Sequence, residues 1–347
     1  MEPIRVAVIG VGLLGERHAR VYTELPDAKL AGVFDAADER ARRVASRFGV
    51  RAYADLDELL VAPEVQAVSV ATPDHLHLEL VLACLQAGKH VLVEKPLATE
   101  PSEARRMVSA ARASGRILMV NYSQRFVPEF NWAKQTIASG MIGRPLIARS
   151  ISSDTISVPT EMLSWAAATS PIFFMASHHL DLVRWYFDDE PEEVFAYEVG
   201  GVLQGRGIPV HDAVEALVRF RHGAVASFHS SWIHPNTFPT VADVYLELVG
   251  SEGVLSLGRG RENELYTPQS GRIARFGTVA EIGGVLWGAF RLSLEHFLSC
   301  IARGEEPLTS AAATLPVTET QCAIMHSLEV HAPVRVELSS EVGGAAE

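Results

Sequence analysis

Positive charge is scarce in this sequence. Its 347 residues include 30 lysines and arginines against 42 aspartates and glutamates, which gives a formal net charge of -12 at pH 7. Nucleic acids and anionic membrane surfaces both attract clustered basic side chains, so this balance argues against either as a partner. A small molecule or another protein is the expected partner.

Cysteine is rare as well. Cys84, Cys300 and Cys322 are the only three, an odd number at wide spacing. Such a set predicts neither a disulfide framework nor a zinc site, and it fits a protein of the reducing cytoplasm. Long hydrophobic runs are also missing. The apolar residues 4–14 are interrupted by glycines and follow no convincing basic segment, so we predict neither an export signal nor a membrane span.

The sequence otherwise has a normal globular balance, with 48% hydrophobic and 21% charged residues, and its length suits two domains. Over the first 121 residues, six short apolar segments alternate with helical patterns that often end at a glycine, as at Gly49 and Gly115. Strands joined by helical crossovers form a parallel sheet with helices on both faces. We therefore predict an α/β domain with a doubly wound parallel sheet at residues 1–121.

The first strand-to-helix turn of this domain is rich in glycine. One glycine permits the tight turn, the next lets the backbone approach a pyrophosphate, and the third allows close helix packing. Asp35 ends the second strand, where a carboxylate accepts hydrogen bonds from a ribose. We predict a Rossmann domain that binds NAD, because Asp35 repels the 2′-phosphate of NADP, although Arg40 weakens that preference. The residues of the turn expected to contact the cofactor are Gly10, Gly12, Leu13, Leu14 and Gly15.

The ends of later strands supply further candidates. Lys95 follows the apolar strand at residues 90–93 and lies between Glu94 and Pro96. Ligands of open α/β sheets bind beyond the carboxyl ends of the strands, so Lys95 is a candidate proton-transfer residue. The alternative is a structural lysine that pairs with Glu94. The residues at these strand ends that are expected to contact the cofactor are Ala71, Thr72, Pro73, His75, Glu94 and Lys95.

After residue 121 the pattern changes to longer alternating strands. Residues 210–221 and 224–232 flank one turn, and residues 243–249 and 254–257 flank another, which predicts two hairpins. We predict an α+β domain at residues 122–338 with a large, mainly antiparallel, open-faced sheet, followed by a frayed tail at 339–347. An exposed apolar sheet face tends to be covered by a partner subunit, so we expect a homo-oligomer, a dimer or a tetramer, formed through this sheet.

Several of these motifs together resemble the Gfo/Idh/MocA family of nicotinamide-dependent oxidoreductases. The resemblance covers nearly the whole chain, and its most specific part is Gly-Lys-His at 88–90 followed by Glu-Lys-Pro at 94–96. It implies a Rossmann domain followed by an open-faced sheet domain, with the substrate between them near the nicotinamide. It also places Lys95 in the active site and implies a cis Lys95–Pro96 bond. The other segments that support it are residues 10–15, 71–77, 121–125, 140–143 and 178–181.

Dehydrogenase chemistry explains why a lysine is useful. Taking hydride from a carbinol carbon requires the hydroxyl proton to leave, and the reverse reaction requires a proton donor. Burial and a nearby cationic nicotinamide both lower the pKa of a lysine toward the working pH. Lys95 is therefore expected to move the proton in both directions.

His178 is the second candidate for proton transfer. Family members that oxidise polyols commonly show the pattern Asp-x-Gly-x-His-x-x-Asp, in which the histidine takes the substrate proton. Here the first Asp is Phe174 and the Gly is Ala176, whereas the last Asp remains as Asp181. Asp181 is spaced to orient the imidazole of His178, and the alternative is a structural histidine. We predict no metal at His178, His179 and Asp181, because adjacent histidines diverge on a helix.

Asn121 and Arg125 follow the sixth strand and enter the predicted ligand crevice. Together with Asp181 they are the predicted substrate contacts. For Arg125 a second role fits equally well, which is to tie the two domains together.

The sequence thus predicts an NAD-dependent oxidoreductase that transfers hydride between nicotinamide and a secondary hydroxyl or carbonyl of a sugar, inositol or related polyol. Two alternatives remain open. One is an enzyme that retains NAD and uses transient oxidation for elimination or glycoside cleavage. The other is a non-catalytic, sugar-responsive regulator that binds a dinucleotide; Phe174 favours it, and the presence of Lys95 and His178 disfavours it.

Overall fold

The computed structural model describes residues 2–258, 263–267, 270–274 and 279–339. They form two compact units. The first unit comprises the described residues up to Ser123 and those from 279 to Leu315, and the second comprises the rest. Apart from Ser339, the predicted frayed tail lies outside the described residues.

A six-stranded parallel sheet forms the centre of the first unit. Its strands are β1 (Ile4–Ile9), β2 (Ala28–Phe34), β3 (Arg51–Ala52), β4 (Ala67–Val70), β5 (His90–Val93) and β6 (Leu118–Val120). The helices between them are α1 (Leu13–Glu24), α2 (Asp38–Phe48), α3 (Leu56–Val61), α4 (His77–Gln86) and α5 (Pro101–Ser114). The strand order is β3-β2-β1-β4-β5-β6, and the central strands are buried on both faces because helices cover them. The predicted doubly wound Rossmann sheet is confirmed.

The turn between β1 and α1 depends on close approach of the backbone. Gly10 directly follows β1 and has a φ of 79°. A Cβ atom on Gly15 would lie 1.7 Å from the Gly10 carbonyl oxygen, so only glycine lets α1 pack this closely. Gly12 differs, because a Cβ atom there would meet nothing within 4 Å. The turn therefore leaves open space at its middle glycine.

Further strands and helices follow along the chain. The strands are β7 (Pro145–Thr155), β8 (Pro191–Val199), β9 (Ala213–Phe220), β10 (Val225–His234), β11 (Ala242–Gly250), β12 (Val254–Leu257), β13 (Asn263–Thr267), β14 (Ser270–Ala274), β15 (Ala280–Ile282), β16 (Val285–Trp287) and β17 (Val334–Arg335). The helices are α6 (Pro128–Ala138), α7 (Ser177–Phe187), α8 (Ala289–Arg303) and α9 (Ala311–Val330).

A seven-stranded sheet in the order β12-β11-β7-β10-β9-β8-β17 dominates the second unit. Its neighbours pair antiparallel except for β7 and β10, which are parallel. The two predicted hairpins are confirmed as β9–β10 and β11–β12. Alternation along β9 shows the two faces, since Val214, Ala216 and Val218 are buried whereas Glu215 and Leu217 are exposed. The predicted α+β fold with a mainly antiparallel, open-faced sheet is confirmed.

Residues 279–315 correct the predicted division of the chain. The ring of Phe290 in α8 packs edge-on against His18 of α1, with centroids 4.9 Å apart. The Thr309 hydroxyl donates to the Val120 carbonyl oxygen at the end of β6, at 2.7 Å. The chain therefore returns to the first unit after the large sheet, and the predicted boundary at 121/122 is only the first of several. These contacts join residues far apart in sequence, which helical and strand periodicity does not report.

The three cysteines are free thiols, and burial raises the pKa of Cys84 to about 12. Within the described part of the chain, no helix is both long and apolar enough to cross a membrane. In that same part, histidine, cysteine, aspartate and glutamate side chains do not gather in threes as a metal site requires.

Candidate active site

Asp35 lies just beyond the carboxyl end of β2, beside the glycine turn. Its Oδ2 accepts a hydrogen bond from the Val11 backbone N–H at 2.9 Å, and its Oδ1 accepts one from the Ala37 N–H at 2.8 Å. Arg40 also reaches the carboxylate, with Nη1 3.2 Å from Oδ2. The carboxylate is therefore held where the ribose of a dinucleotide is recognised in this fold, and Arg40 offsets part of its charge.

The glycine turn fits a bound pyrophosphate. The open space at Gly12 leaves room for a group to lie against the backbone. Gly12 is also the N-cap of α1 and provides no capping side chain, so the N–H groups of the first helical turn are suited to receive a phosphate. Together with Asp35, this turn is the predicted cofactor-binding part of the site, and its contacts with the cofactor stay predictions.

The segment after β4 lies next to the glycine turn. The Ala71 N–H donates to the Ile9 carbonyl oxygen at 2.8 Å, and a Cβ atom on Gly10 would lie 2.8 Å from the Ala71 carbonyl oxygen. His75 is exposed. Its backbone N–H donates to Asp74 Oδ1, and its side chain is 41% exposed. The structure thus brings this predicted cofactor segment beside the turn, and its contacts with the cofactor stay predictions.

Lys95 lies two residues beyond the end of β5, after Glu94. The Lys95–Pro96 bond is cis, as the family resemblance implied. Nδ1 of the buried His77 lies 2.9 Å from the Pro96 carbonyl oxygen, and its Nε2 lies 3.1 Å from the Thr72 carbonyl oxygen. Burial lowers the pKa of His77, and a neutral imidazole has one N–H, so His77 lies between these two carbonyl oxygens and donates a hydrogen bond to one of them.

The carboxylate of Glu94 lies in a buried hydrogen-bond network. Its Oε1 accepts from His18 Nε2 at 2.9 Å and from Asn121 Nδ2 at 2.6 Å. Asn121 Oδ1 in turn accepts from the Ser293 hydroxyl of α8 at 2.7 Å. We call His18, Glu94, Asn121 and Ser293 the Glu94 network.

The Glu94 network keeps its carboxyl group ionised. Burial alone raises the pKa of Glu94, but the hydrogen bond and charge of His18, the hydrogen bond of Asn121 and the charge of Lys95 outweigh burial and hold that pKa at about 2. Glu94 is therefore an anion throughout the physiological range. Both ends of the Asn121 amide are engaged in this network, and its predicted contact with substrate stays a prediction.

His178 and Phe174 share one surface of the second unit. They are partly exposed, whereas all other residues from 169 to 183 are buried. A π-helical segment, Ile172–Ala176, leads directly into α7, so these two residues lie about one helical turn apart. The predicted acid-base histidine thus has an aromatic neighbour where the family pattern has a carboxylate.

Phe174 belongs to an aromatic wall formed with Trp165 and Trp232. Its ring centroid lies 6.1 Å from that of Trp165 and 5.7 Å from that of Trp232. Trp232 is fully buried in an apolar cluster that includes Met175, so the wall is anchored in the core of the second unit. A partly exposed aromatic ring held in this way offers an apolar surface beside His178.

Asp181 forms a buried ion pair with Arg125. Arg125 Nε donates to Oδ2 at 2.7 Å and Nη2 donates to Oδ1 at 2.6 Å, so the guanidinium engages both carboxylate oxygens. The guanidinium also lies over the ring of Trp185, 5.1 Å from its centroid. Both partners belong to the second unit. Their predicted contacts with substrate, and the predicted orientation of His178 by Asp181, stay predictions.

His179 points to the sheet and not to the surface that holds His178. It is fully buried, and its Nδ1 lies 2.5 Å from the Ser150 hydroxyl of β7. Burial lowers the pKa of His179 to about 4, so the imidazole is neutral at physiological pH. The two adjacent histidines therefore lie in different environments, His179 in the buried interior and His178 at a partly exposed position.

Neither His18 nor Ser293 was predicted from the sequence as a residue of the site. The contacts of His77 with the two neighbouring strand ends were not predicted either. One signal was available for His18: it stands among Gly15, Ala19 and Tyr22 on the buried face of α1, where a polar residue needs a hydrogen-bond partner. Ser293 has no comparable signal, because its partner is 172 residues away in sequence.

Known proteins resemble both units. Residues 4–122 match the Gfo/Idh/MocA model described as an oxidoreductase family with an NAD-binding Rossmann fold, and residues 130–256 match the Gfo/Idh/MocA C-terminal domain. The scyllo-inositol 2-dehydrogenase (NAD(+)) of Bacillus subtilis is 29% identical over 98% of this chain and 98% of its own length. The myo-inositol 2-dehydrogenase of Thermotoga maritima is 34% identical over 75% of this chain and 76% of its own length.

A solved structure agrees with the fold. The myo-inositol 2-dehydrogenase of Lactobacillus plantarum superposes with a TM-score of 0.85 and covers 97% of this chain and 100% of that one. Its identity is 21%, so this likeness concerns the fold alone.

Proposed function

The chain belongs to the Gfo/Idh/MocA family of NAD-binding oxidoreductases, and we propose that it oxidises a secondary hydroxyl of an inositol, a sugar or a related polyol, with Lys95 and His178 in proton transfer. It is an NAD-dependent dehydrogenase that acts on CH–OH groups. The observation that carries the finer proposal is the position of Lys95 just beyond the carboxyl end of β5, between Glu94, which hydrogen-bonds to His18, and Pro96, whose carbonyl oxygen lies near His77.

NAD, when bound, accepts the hydride from the carbinol carbon. The glycine turn is suited to its pyrophosphate and Asp35 to its ribose, as their geometry supports. The protein must then remove the proton of the substrate hydroxyl, because hydride loss converts the alcohol to a ketone. Lys95 Nζ takes this proton when neutral, and returns it when the reaction runs toward the alcohol.

His178 is proposed as the partner of Lys95 in orienting the hydroxyl. Partial exposure on a buried segment supports this role, since a structural histidine in such a segment is expected to be buried like His179. An imidazole is both donor and acceptor near neutral pH, which suits a group that must hold a hydroxyl and share its proton.

The aromatic wall bears on the choice of substrate. The relatives named above are inositol dehydrogenases, and their names support a ring polyol as the substrate class. At Phe174 an apolar ring face replaces a carboxylate that would accept hydrogen bonds from a neighbouring hydroxyl. We propose that the substrate turns a C–H face of its ring, or a carbon bearing no free hydroxyl, toward Phe174.

A substrate panel tests the proposed function. The purified protein is assayed for NADH formation with inositol isomers, hexoses, anhydrosugars and methyl glycosides, each with NAD and with NADP. We expect substrate-dependent NADH with at least one ring polyol, and its loss by a factor of at least ~10² in Lys95→Ala. Absence of turnover across the panel, with NAD binding intact, would contradict a polyol dehydrogenase.

We also propose that the chain forms a homo-oligomer through the outer face of the large sheet. Tyr197 and Val199 of β8 and Leu217 of β9 are about half exposed or more, with 61%, 59% and 50% exposure respectively. Large apolar side chains grouped on one sheet face are typical of a surface that another subunit covers. A dimer or a tetramer fits this proposal.

A further inference from the structure

We infer that the aromatic wall is a subsite for an uncharged aromatic aglycone, so that the substrate is an aryl glycoside whose sugar ring carries the oxidised hydroxyl. This inference rests on the proposed function and deepens it, because it names the group carried by the ring carbon that has no free hydroxyl. Phe174 and Trp165 are the residues that would select this substrate.

The two partly exposed rings of the aromatic wall meet at a steep angle. Trp165 and Phe174 are inclined by 65°, with their centroids 6.1 Å apart, which is an edge-to-face arrangement. The two rings therefore form a corner and not a flat surface. A third aromatic ring placed in such a corner stacks on one ring and presents its edge to the other, and these are the two geometries that aromatic pairs prefer.

Apolar side chains surround this corner. The ring of Phe174 packs against a buried apolar cluster that consists of Ile156, Met175, Leu203, Val210 and Trp232. Three more partly buried apolar side chains pack against the same cluster: Leu163, Ile208 and Ile233. A hydroxyl turned toward such side chains loses its hydrogen bonds to water and gains none from hydrocarbon groups, which is costly. Inositol carries a hydroxyl on every ring carbon, whereas a phenyl group carries none, so the corner favours the phenyl group.

The backbone at the corner is held by its own hydrogen bonds. The Trp165 carbonyl oxygen accepts from the Ala168 N–H at 2.9 Å. The π-helical segment that carries Phe174 is tied to α9, because Gln321 Nε2 donates to the Ile172 carbonyl oxygen at 2.8 Å. A site that is already ordered loses little conformational entropy when a ligand binds, so its contacts contribute more fully to affinity.

The position of His178 relates the corner to the chemistry. Phe174 and His178 share one partly exposed surface and lie about one helical turn apart, which is about 5 Å along the helix axis. This separation is comparable with the width of one sugar ring. An aglycone in the corner therefore leaves a hydroxyl on the opposite side of the sugar ring beside His178. The oxidation is that of the proposed function: the hydride goes to NAD, the hydroxyl proton goes to the protein, and the glycosidic bond stays intact.

Binding of matched glycosides tests the inference. Phenyl glycosides are compared with the methyl glycosides of the same sugars, glucose, galactose and mannose, in both anomers. Calorimetric titration of the NADH-loaded protein, which cannot oxidise them, measures the dissociation constants. For at least one sugar we expect the phenyl glycoside to bind about tenfold more tightly than the methyl glycoside, with a similar ratio of kcat/KM values. Equal affinities within every pair would overturn the inference.

Trp165→Leu removes one ring of the corner and retains an apolar side chain. We expect the preference for the phenyl glycoside to fall to about threefold or less, with the affinity for the methyl glycoside changed less than about twofold. Trp165→Phe keeps an aromatic ring and should retain most of the preference. If Trp165→Leu keeps the full preference, or if both variants lose it equally, aromatic contact with residue 165 is not its cause and the inference fails.

Trp132→Leu is the matched control. Trp132 lies in α6 of the same unit, is 55% exposed and does not belong to the aromatic wall. We expect its preference for the phenyl glycoside to equal that of the wild type. A loss as large as that in Trp165→Leu would mean that the preference does not arise at the aromatic wall, which contradicts the inference.

A failure of this inference is distinguishable from a failure of the proposed function. Oxidation of ring polyols without any preference for phenyl glycosides refutes the aglycone subsite and leaves the dehydrogenase in place. Tight binding of a phenyl glycoside that depends on Trp165, without NADH formation from any substrate, supports the subsite and contradicts the proposed oxidation.

Discussion

Asp35 is expected to decide which nicotinamide cofactor this chain prefers. Its carboxylate is held by the Val11 and Ala37 N–H groups and is accompanied by Arg40. In Asp35→Ser, we expect kcat/KM with NAD to fall by at least about tenfold and that with NADP to rise, because the repulsion of a 2′-phosphate is lost while Arg40 remains. Initial rates with both cofactors measure the change in preference.

The exposed Asp38 of α2 supplies a control for this substitution, since its side chain is 61% exposed and pairs only with Arg42 among the described contacts. Asp38→Ser should leave the ratio of the two cofactors unchanged. An equal change in both variants would mean that the net charge of the region, and not Asp35 itself, sets the preference.

Phe174 is expected to select the substrate. Phe174→Asp places a carboxylate one turn before His178 and removes the apolar ring of the aromatic wall. We expect kcat/KM for fully hydroxylated inositols to rise relative to that for deoxy or O-methyl ring polyols by about tenfold or more, since buried polar groups discriminate strongly against partners that cannot pair with them. Competition assays with one substrate of each type measure the ratio.

Phe174→Leu retains an apolar side chain and serves as the comparison. It should lower activity on all ring polyols without reversing their order. A reversed order in Phe174→Leu, or an unchanged ratio of the two kcat/KM values in Phe174→Asp, would contradict a selecting role for this position.

At the scale of elements, the contact of α7 with β7 should make stability depend on pH. The pKa of His179 is about 4 because the residue is buried, whereas an unfolded histidine has an ordinary value near 6.5. Between these two values the unfolded chain binds a proton that the folded chain does not. The free energy of unfolding should therefore decrease as the pH falls from about 6.5 to about 4, by roughly 3 kcal/mol at most, and level off below.

Urea unfolding at a series of pH values measures this dependence. His179→Gln has no titratable group at that position, so the difference between wild type and variant isolates the contribution of His179 from that of other histidines. The expectation fails if the two proteins lose stability in parallel over this range.

Elements read from local patterns were predicted well, and those that depend on distant partners were not. The six parallel strands, the glycine turn, both hairpins and the open-faced sheet follow from periodicity and turn residues, and Asp55 caps α3 as a capping aspartate should. The return of α8 to the first unit depends on Phe290 meeting His18, which no local pattern encodes.

The candidate site shows the same division. Lys95, Asp35 and the glycines lie at strand ends that the sequence marks clearly. The ion pair between Asp181 and Arg125, in which the guanidinium engages both carboxylate oxygens, was not predicted. That pairing joins residues 56 positions apart, so only the fold reveals it.

At the scale of the whole molecule, the outer face of the large sheet should set the oligomeric state. We expect the protein to elute with a mass that is a multiple of 37.7 kDa, a dimer or a tetramer. Leu217→Glu places a charge in the middle of that face and should shift the protein toward the monomer, because an unpaired charge is costly in an apolar interface. Light scattering during size-exclusion chromatography measures both masses.

Val61→Glu is the control for this substitution. Val61 is also an exposed apolar residue, at 78%, but it lies in α3 of the first unit. The mass of the Val61→Glu variant in solution should equal that of the wild type. A wild type that is monomeric at micromolar concentrations would contradict assembly through the sheet.

The central claim is that Lys95 transfers the proton in an NAD-dependent oxidation, and amine rescue of Lys95→Ala tests it most directly. A small primary amine that enters the space left by the lysine replaces its function only if that function is proton transfer. We predict that NADH formation from the best ring polyol rises with amine concentration, and that it rises further with the basicity of the amine. If no amine restores turnover while the variant still binds NAD and substrate, Lys95 has another role and the proposed mechanism is wrong.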